Sequence, residues 1–194
     1  MSGMPFILLI YSAFTVNLVL QCGIGLRGIA ESKGEFFISS FIKLGLIFIS
    51  IIFLWFLFSK ALSAIIQGLL LYVLLFPVSA ILYDGLEFII FRYIFKRDAK
   101  DESLINFPGG ITAVSVFICV NAANSFLETA ILSFGFISGI FLVNIITREV
   151  RKRAALEAVP VFLQGKPLIL ITMGILSMVF STASILLFRM INAQ

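Results

Sequence analysis

The chain of 194 residues contains no histidine. That removes the side chain most often used as general base near neutral pH, and the commonest metal ligand with it. Two cysteines, Cys22 and Cys119, are too few for a disulfide framework. There is no P-loop, no G-x-G-x-x-G following a strand and no zincin pattern, so no known cradle for a nucleotide or catalytic zinc is present. Nor is there a soluble segment able to enclose a flavin. The first apolar run has no charged leader and no small-residue cleavage site, which argues against a cleaved signal peptide. Charge itself is scarce, at 12% of residues against about 25% in soluble domains.

What fills the chain instead is apolar. Hydrophobic residues make up 61%, the mean hydropathy is +1.16, and a soluble domain carries about 45–50%. A chain solvated mainly by lipid must pair its backbone groups internally, as helices or a closed barrel. The apolar runs are continuous rather than alternating, which selects helices. The expected fold is an all-α integral membrane protein with six transmembrane segments, near Phe6–Leu26, Phe36–Phe58, Ile65–Phe95, Ile111–Ala123, Phe126–Ile146 and Leu168–Ile191. The third is overlong and carries Pro77, Asp84 and Glu87, so a tilt or kink is expected there. At about 20 Å as a helix, the fourth is short for a hydrocarbon layer of about 30 Å.

The net charge of +4 reflects topology and not a nucleic-acid partner, because the basic residues fall between the apolar runs. One side collects Arg27, Lys33, Arg92, Lys96, Arg97, Lys100, Arg148, Arg151, Lys152, Arg153 and Lys166; the other holds only Lys60 and Arg189. Eleven against two makes the first side cytoplasmic and puts both termini outside the cytoplasm. The run T-R-E-V-R-K-R (Thr147 to Arg153) serves as a topology anchor in contact with lipid headgroups.

Within this single membrane domain, K-R-D-A-K-D-E-S divides the chain into repeat 1 (about 1–95), a cytoplasmic loop (about 96–106) and repeat 2 (about 107–194). Three segments per half give halves of opposite orientation, and each half opens irregularly. Asn17 to Gly28 reads N-L-V-L-Q-C-G-I-G-L-R-G, with Gly23, Gly25 and Gly28; Pro108, Gly109 and Gly110 precede the short fourth run. Interruptions at corresponding places in two halves point to an inverted repeat whose site lies at half-helices in segments 1 and 4. An ordinary six-helix bundle with glycines for close packing is the alternative.

Few residues bear chemistry. Ionisable groups inside a membrane are costly and usually functional, so Asp84, Glu87 and Lys43 are candidates for an ion path. Asp84 and Glu87, at i and i+3, fall on one helix face, where they also suit an interfacial acidic pair answering Arg92. Cys22 and Cys119 are either metal ligands or small buried hydrophobes. Their expected depths differ by roughly 5–10 Å, against thiolate–metal bonds of about 2.3 Å. Asn17, Gln21, Asn121 and Asn124 add amides suited to interhelical hydrogen bonds. No residue is assigned a catalytic role.

The stretch I-T-R-E-V-R-K-R-A-A-L-E-A-V-P-V-F-L-Q-G-K-P-L-I-L-I-T-M-G-I-L-S-M-V-F resembles the closing part of the Rnf/Nqr membrane-subunit family. The matching positions are Arg148–Glu149, Val159–Pro160, Gly165 and Ile169 to Phe180. S-F-L-E-T-A from Ser125 and L-E-F-I-I-F-R from Leu86 resemble further family stretches, and length, segment number and outward termini fit the RnfA/NqrE type. The resemblance implies a subunit of an ion-translocating oxidoreductase complex in a bacterial cytoplasmic (inner) membrane. Such a subunit takes part in transmembrane electron transfer or the ion path and is not catalytic alone. It implies as partners a paralogous membrane subunit and other redox subunits, and as cofactor an intramembrane iron or iron–sulfur centre shared with the paralogue. The family's cysteines are out of register here: Arg27 stands at the first, and Ile111 to Val114 at the second. A substrate-binding membrane component of a vitamin-type transporter and a non-catalytic scaffold paralogue are the competing readings.

Overall fold

The computed structural model describes residues 4–21, 23, 38–62, 69–90, 92, 108–156, 160, 163 and 165–192. Cys22, Gly25, Gly28 and the charged loop lie outside the described residues. Among the described residues helix is the one kind of regular secondary structure, with no strand. The α-helices are α1 (Met4–Ile10), α2 (Ile38–Phe56), α3 (Leu69–Ile89), α4 (Pro108–Ala122), α5 (Phe126–Leu156) and α6 (Lys166–Asn192). Two π-helical segments, Tyr11–Thr15 and Leu57–Leu62, continue α1 and α2.

Among the described residues, three helices are long and apolar enough to cross a membrane, over Phe41–Ser59, Phe126–Ala154 and Lys166–Leu186, against the six spans expected. Their surfaces identify the solvent. On α2 the outward positions are Phe41, Ile49, Phe53 and Phe56, each more than half exposed, while Lys43 and Ser50 are buried. A water-soluble helix has the opposite arrangement. Apolar outside and polar inside is what lipid requires. The inward positions Leu44, Ile47, Ile51, Leu54 and Phe58 recur every three or four residues and join one core with Leu18, Tyr83, Ile111, Val116, Leu132 and Phe136.

Local chemistry sets the helix ends. Pro108 begins α4 where its missing N–H has no helical partner to lose. The helix has 15 residues, about 22 Å. Ser125 caps α5 by accepting from the Glu128 N–H at 3.2 Å, and the Glu128 carboxylate accepts from the Asn124 N–H at 2.8 Å, a variant of the capping box. Two elements differ from expectation. The α5 helix continues through Thr147–Arg153 to Leu156, and α3 runs unbroken past Pro77.

Segment 1 breaks earlier than its glycines suggest. The π turn closes with the Val16 N–H donating to the Tyr11 carbonyl at 3.0 Å, and Val16 leaves helical geometry at φ −108°, ψ 45°. The buried Asn17 then serves both sides of the break. Its amide donates to the Ala13 carbonyl at 3.1 Å, and its Oδ1 accepts from the N–H groups of Val19 and Leu20 at 3.1 and 3.2 Å. This satisfies backbone groups that a helix end would otherwise leave open in an apolar surrounding. Gly23 lies further on with φ 69°, a left-handed conformation favouring glycine.

The helices pack in a definite pattern. The first segment lies against α5 and α6, α4 lies against α2 and α3, and α2 meets α5. Small residues bring the first segment close to α5. A Cβ on Gly135 would collide with the Ser12 side chain; one on Gly139 would lie 2.7 Å from the Ala13 carbonyl oxygen and 2.9 Å from the Asn17 amide. The four-residue spacing of these glycines is the small-xxx-small device for close approach. Gly139→Ala is expected to displace the Asn17 break and lower the melting temperature of the purified protein by several degrees. Gly174→Ala, with nothing within 4 Å of the added carbon, should leave it unchanged or slightly raised, since alanine is the better helix former. Equal behaviour of the two in a thermal scan counts against the break being held from α5.

Candidate functional site

The groups the sequence singles out as ionisable converge near one end of α2, α3 and α4. Lys43 sits five residues into α2, about 7–8 Å along its axis. Glu87 lies two residues before the end of α3. Between them runs an ion pair, Lys43 Nζ to Glu87 Oε1, at 2.8 Å, with the side chains only 6% and 13% exposed. Helical spacing turns both residues inward: Lys43 shares a face with the buried Ile47 and Ser50, and Glu87 follows the buried Tyr83 by one turn.

Asp84 is not part of that pair. Although i and i+3 place it near Glu87 in sequence, it is exposed and turned towards α4. A Cβ on Gly109 would lie 3.3 Å from the Ala80 Cα and 3.8 Å from Asp84 Oδ1. The Asp84 carboxylate therefore stands beside the first turn of α4, where the partial positive charge of the free N–H groups favours an anion. The two acids answer different partners, one an ammonium and one a helix end. Glu87 pairs with Lys43, while the Arg92 guanidinium lies over the Phe88 ring, 5.3 Å from its centre, in cation–π geometry.

Pro108, Gly109 and Gly110 form the opening turn of α4, and both glycines are buried. Gly109 permits a close approach, since an added carbon would lie tightly against the backbone of Ala80. Of the glycines assigned to the first break, Gly23 alone is among the described residues. Further polar groups line the same interior. Ser50 Oγ and the Tyr83 hydroxyl are buried without a hydrogen-bond partner, whereas Ser115 donates to the Ile111 carbonyl at 2.7 Å and Ser79 to the Phe76 carbonyl at 2.9 Å. The role of Tyr83 is not evident from sequence, where it reads as one more aromatic residue in an apolar run. The glycine spacing of Gly135 and Gly139 was the available signal for the contact behind the break.

Cys119 is fully buried in α4 with the Ser133 side chain of α5 beside it. Among the described residues, no group of three or more cysteine, histidine, aspartate or glutamate side chains comes together. A thiol in this setting is a well-packed small hydrophobe. The described part of the chain thus supplies one soft ligand and no complete ligand set. Between α2 and α5, an open apolar groove of about 500 Å³ is walled by Phe41, Phe48, Phe134 and Phe141.

No protein-family model matches the chain, and comparison with curated proteins gives no match either.

Breaking a buried ion pair by removing one partner leaves an uncompensated charge and costs about 3–5 kcal/mol. Lys43→Met and Glu87→Gln should each approach that loss in an unfolding experiment in detergent. The double variant should recover much of it, because neither charge then remains. Additive losses would mean that the two side chains do not interact in the folded protein.

Proposed function

We propose that the chain is a membrane subunit of an ion-translocating electron-transport complex of the Rnf/Nqr kind, contributing part of the path along which the ion crosses. The observation that carries this reading is the enclosed Lys43–Glu87 pair. Charges are rare within apolar helices, and their usual role is to mark ion or proton pathways. Asp84 at the opening turn of α4 supplies an exposed carboxylate one helical turn from the pair. A cation approaching from the basic, cytoplasmic side would meet the Glu87 carboxylate first and Asp84, about one turn deeper along α3, next.

The reading includes two inverted repeats with half-helices in segments 1 and 4. The packing supports it through a correspondence of neighbours. Exchanging the halves turns the contact of segment 1 with α5 into that of α4 with α2. It turns the contact of segment 1 with α6 into that of α4 with α3, and α2–α3 into α5–α6. Asn17 and the turn of Pro108, Gly109 and Gly110 then stand at the irregular starts of the halves, where such proteins bind their ions.

In this proposal the protein sits in a cytoplasmic membrane beside a paralogous subunit and further redox subunits, and does not catalyse a reaction alone. An iron centre shared with the paralogue would take Cys119 and Cys22 from this chain and supply one-electron transfer. The described residues offer Cys119 alone, so nothing in the ion path is routed through the metal. Iron per chain in the anaerobically purified complex, compared with that of Cys22→Ser/Cys119→Ser, tests that part separately.

The ion path is tested in vesicles carrying the complex with its native partners. Glu87→Gln should lower redox-driven ion uptake at least about tenfold while the complex assembles normally, and Asp84→Asn should lower it less. Uptake unchanged in both variants, with assembly intact, would leave the chain as a scaffold.

A further inference from the structure

Lys43 does more than neutralise Glu87. Its ammonium is a compact point charge on a flexible four-carbon stem. It lies about 7–8 Å from the start of α2, a distance over which such stems reach towards the membrane surface. The side chain therefore has two places to put its charge: on the Glu87 carboxylate, or out at the helix end. With the ammonium withdrawn, the carboxylate remains in a setting 13% exposed and requires another cation.

The surroundings suit one. The Tyr83 hydroxyl is fully buried, has no hydrogen-bond partner, and lies within electrostatic reach of both Glu87 and Asp84. Unsatisfied buried oxygens are uncommon in folded proteins and call for a ligand. Carboxylate and hydroxyl oxygens, without sulfur or imidazole, are the donors preferred by hard cations.

We propose that Glu87, with the Tyr83 hydroxyl, forms a site for a monovalent alkali cation, and that Lys43 is a tethered plug competing with the ion for the carboxylate. The proposal rests on the ion-path reading and adds its regulation. One positive charge replaces another: the ion enters as the ammonium moves off with its proton, and no covalent bond changes. Removal of the lysine charge should convert a blocked site into an open one.

The test is thermal unfolding of the purified full chain in sodium chloride and in choline chloride at equal ionic strength. Ion binding to the folded state raises its apparent stability by mass action. For Lys43→Met, sodium should raise the melting temperature by about 3–6 °C over choline once the ion is at ten times its dissociation constant. Wild type and Lys43→Met/Glu87→Gln should each shift by less than about 1 °C, within the usual range of small surface effects. Potassium and lithium series then rank the ions. An equal sodium shift in wild type overturns the plug. The absence of a shift in Lys43→Met, or its persistence in the double variant, overturns the site. If Lys43→Met does not fold, Lys43→Gln, which can still donate a hydrogen bond to Glu87, is read by the same criteria. Sodium binding to Lys43→Met without any effect of Glu87→Gln on uptake by the complex would retain the site and remove the path. Uptake lost in Glu87→Gln without sodium binding in Lys43→Met would retain the path and remove the plug.

Discussion

The arrangement depends on one constraint: a polar group inside the apolar bundle must find its partner within the protein. Water is absent there to accept a stray N–H or shield a charge. Lys43 and Glu87 meet this constraint as a pair, Asn17 meets it across the helix break, and the serines and threonines meet it by donating to carbonyls in the preceding turn. Ser115, Thr129, Ser133 and Thr147 all do so within 3.1 Å. Against that background the buried oxygens of Tyr83 and Ser50 stand apart, since these lack a partner.

The same constraint explains the inverted surface of the helices. Phenylalanine and isoleucine face outward while lysine, serine and tyrosine turn inward, and helix-on-helix contact is left to small residues. Gly135 and Gly139 on α5 let the first segment approach closely, with Ser12 against the first glycine and Asn17 against the second. Gly109 performs the same service where α4 meets Ala80. Close approach thus occurs at the break in the first segment and at the opening turn of α4.

Much of this could be read from the residues. Long apolar runs gave the helical membrane class and placed α2, α5 and α6 to within a few residues at most ends. Scarcity of charge singles out Lys43 and Glu87 from the residues alone. Other features could not be read in advance. The spacing of Asp84 and Glu87 suggests one shared face, but their environments diverge, because a helix end attracts one and an ammonium the other. The glycines of the first segment suggest a break near residue 23, whereas the helix already ends at Thr15. An asparagine able to satisfy both ends of a break is decisive there, and its partners come from backbone geometry that periodicity does not encode. The extension of α5 to Leu156 was hidden by its charges, which end an apolar run but not a helix.

The shortness of α4 has an electrical consequence. Hydrocarbon is the insulator across which a membrane potential falls, and work on a charge scales with the fraction of that potential it crosses. A potential dropped along the roughly 22 Å of α4, instead of a lipid layer of about 30 Å, gives a field about one third stronger. Charges near its opening turn, Asp84 among them, would then sense voltage more steeply per ångström of displacement than charges beside the longer helices.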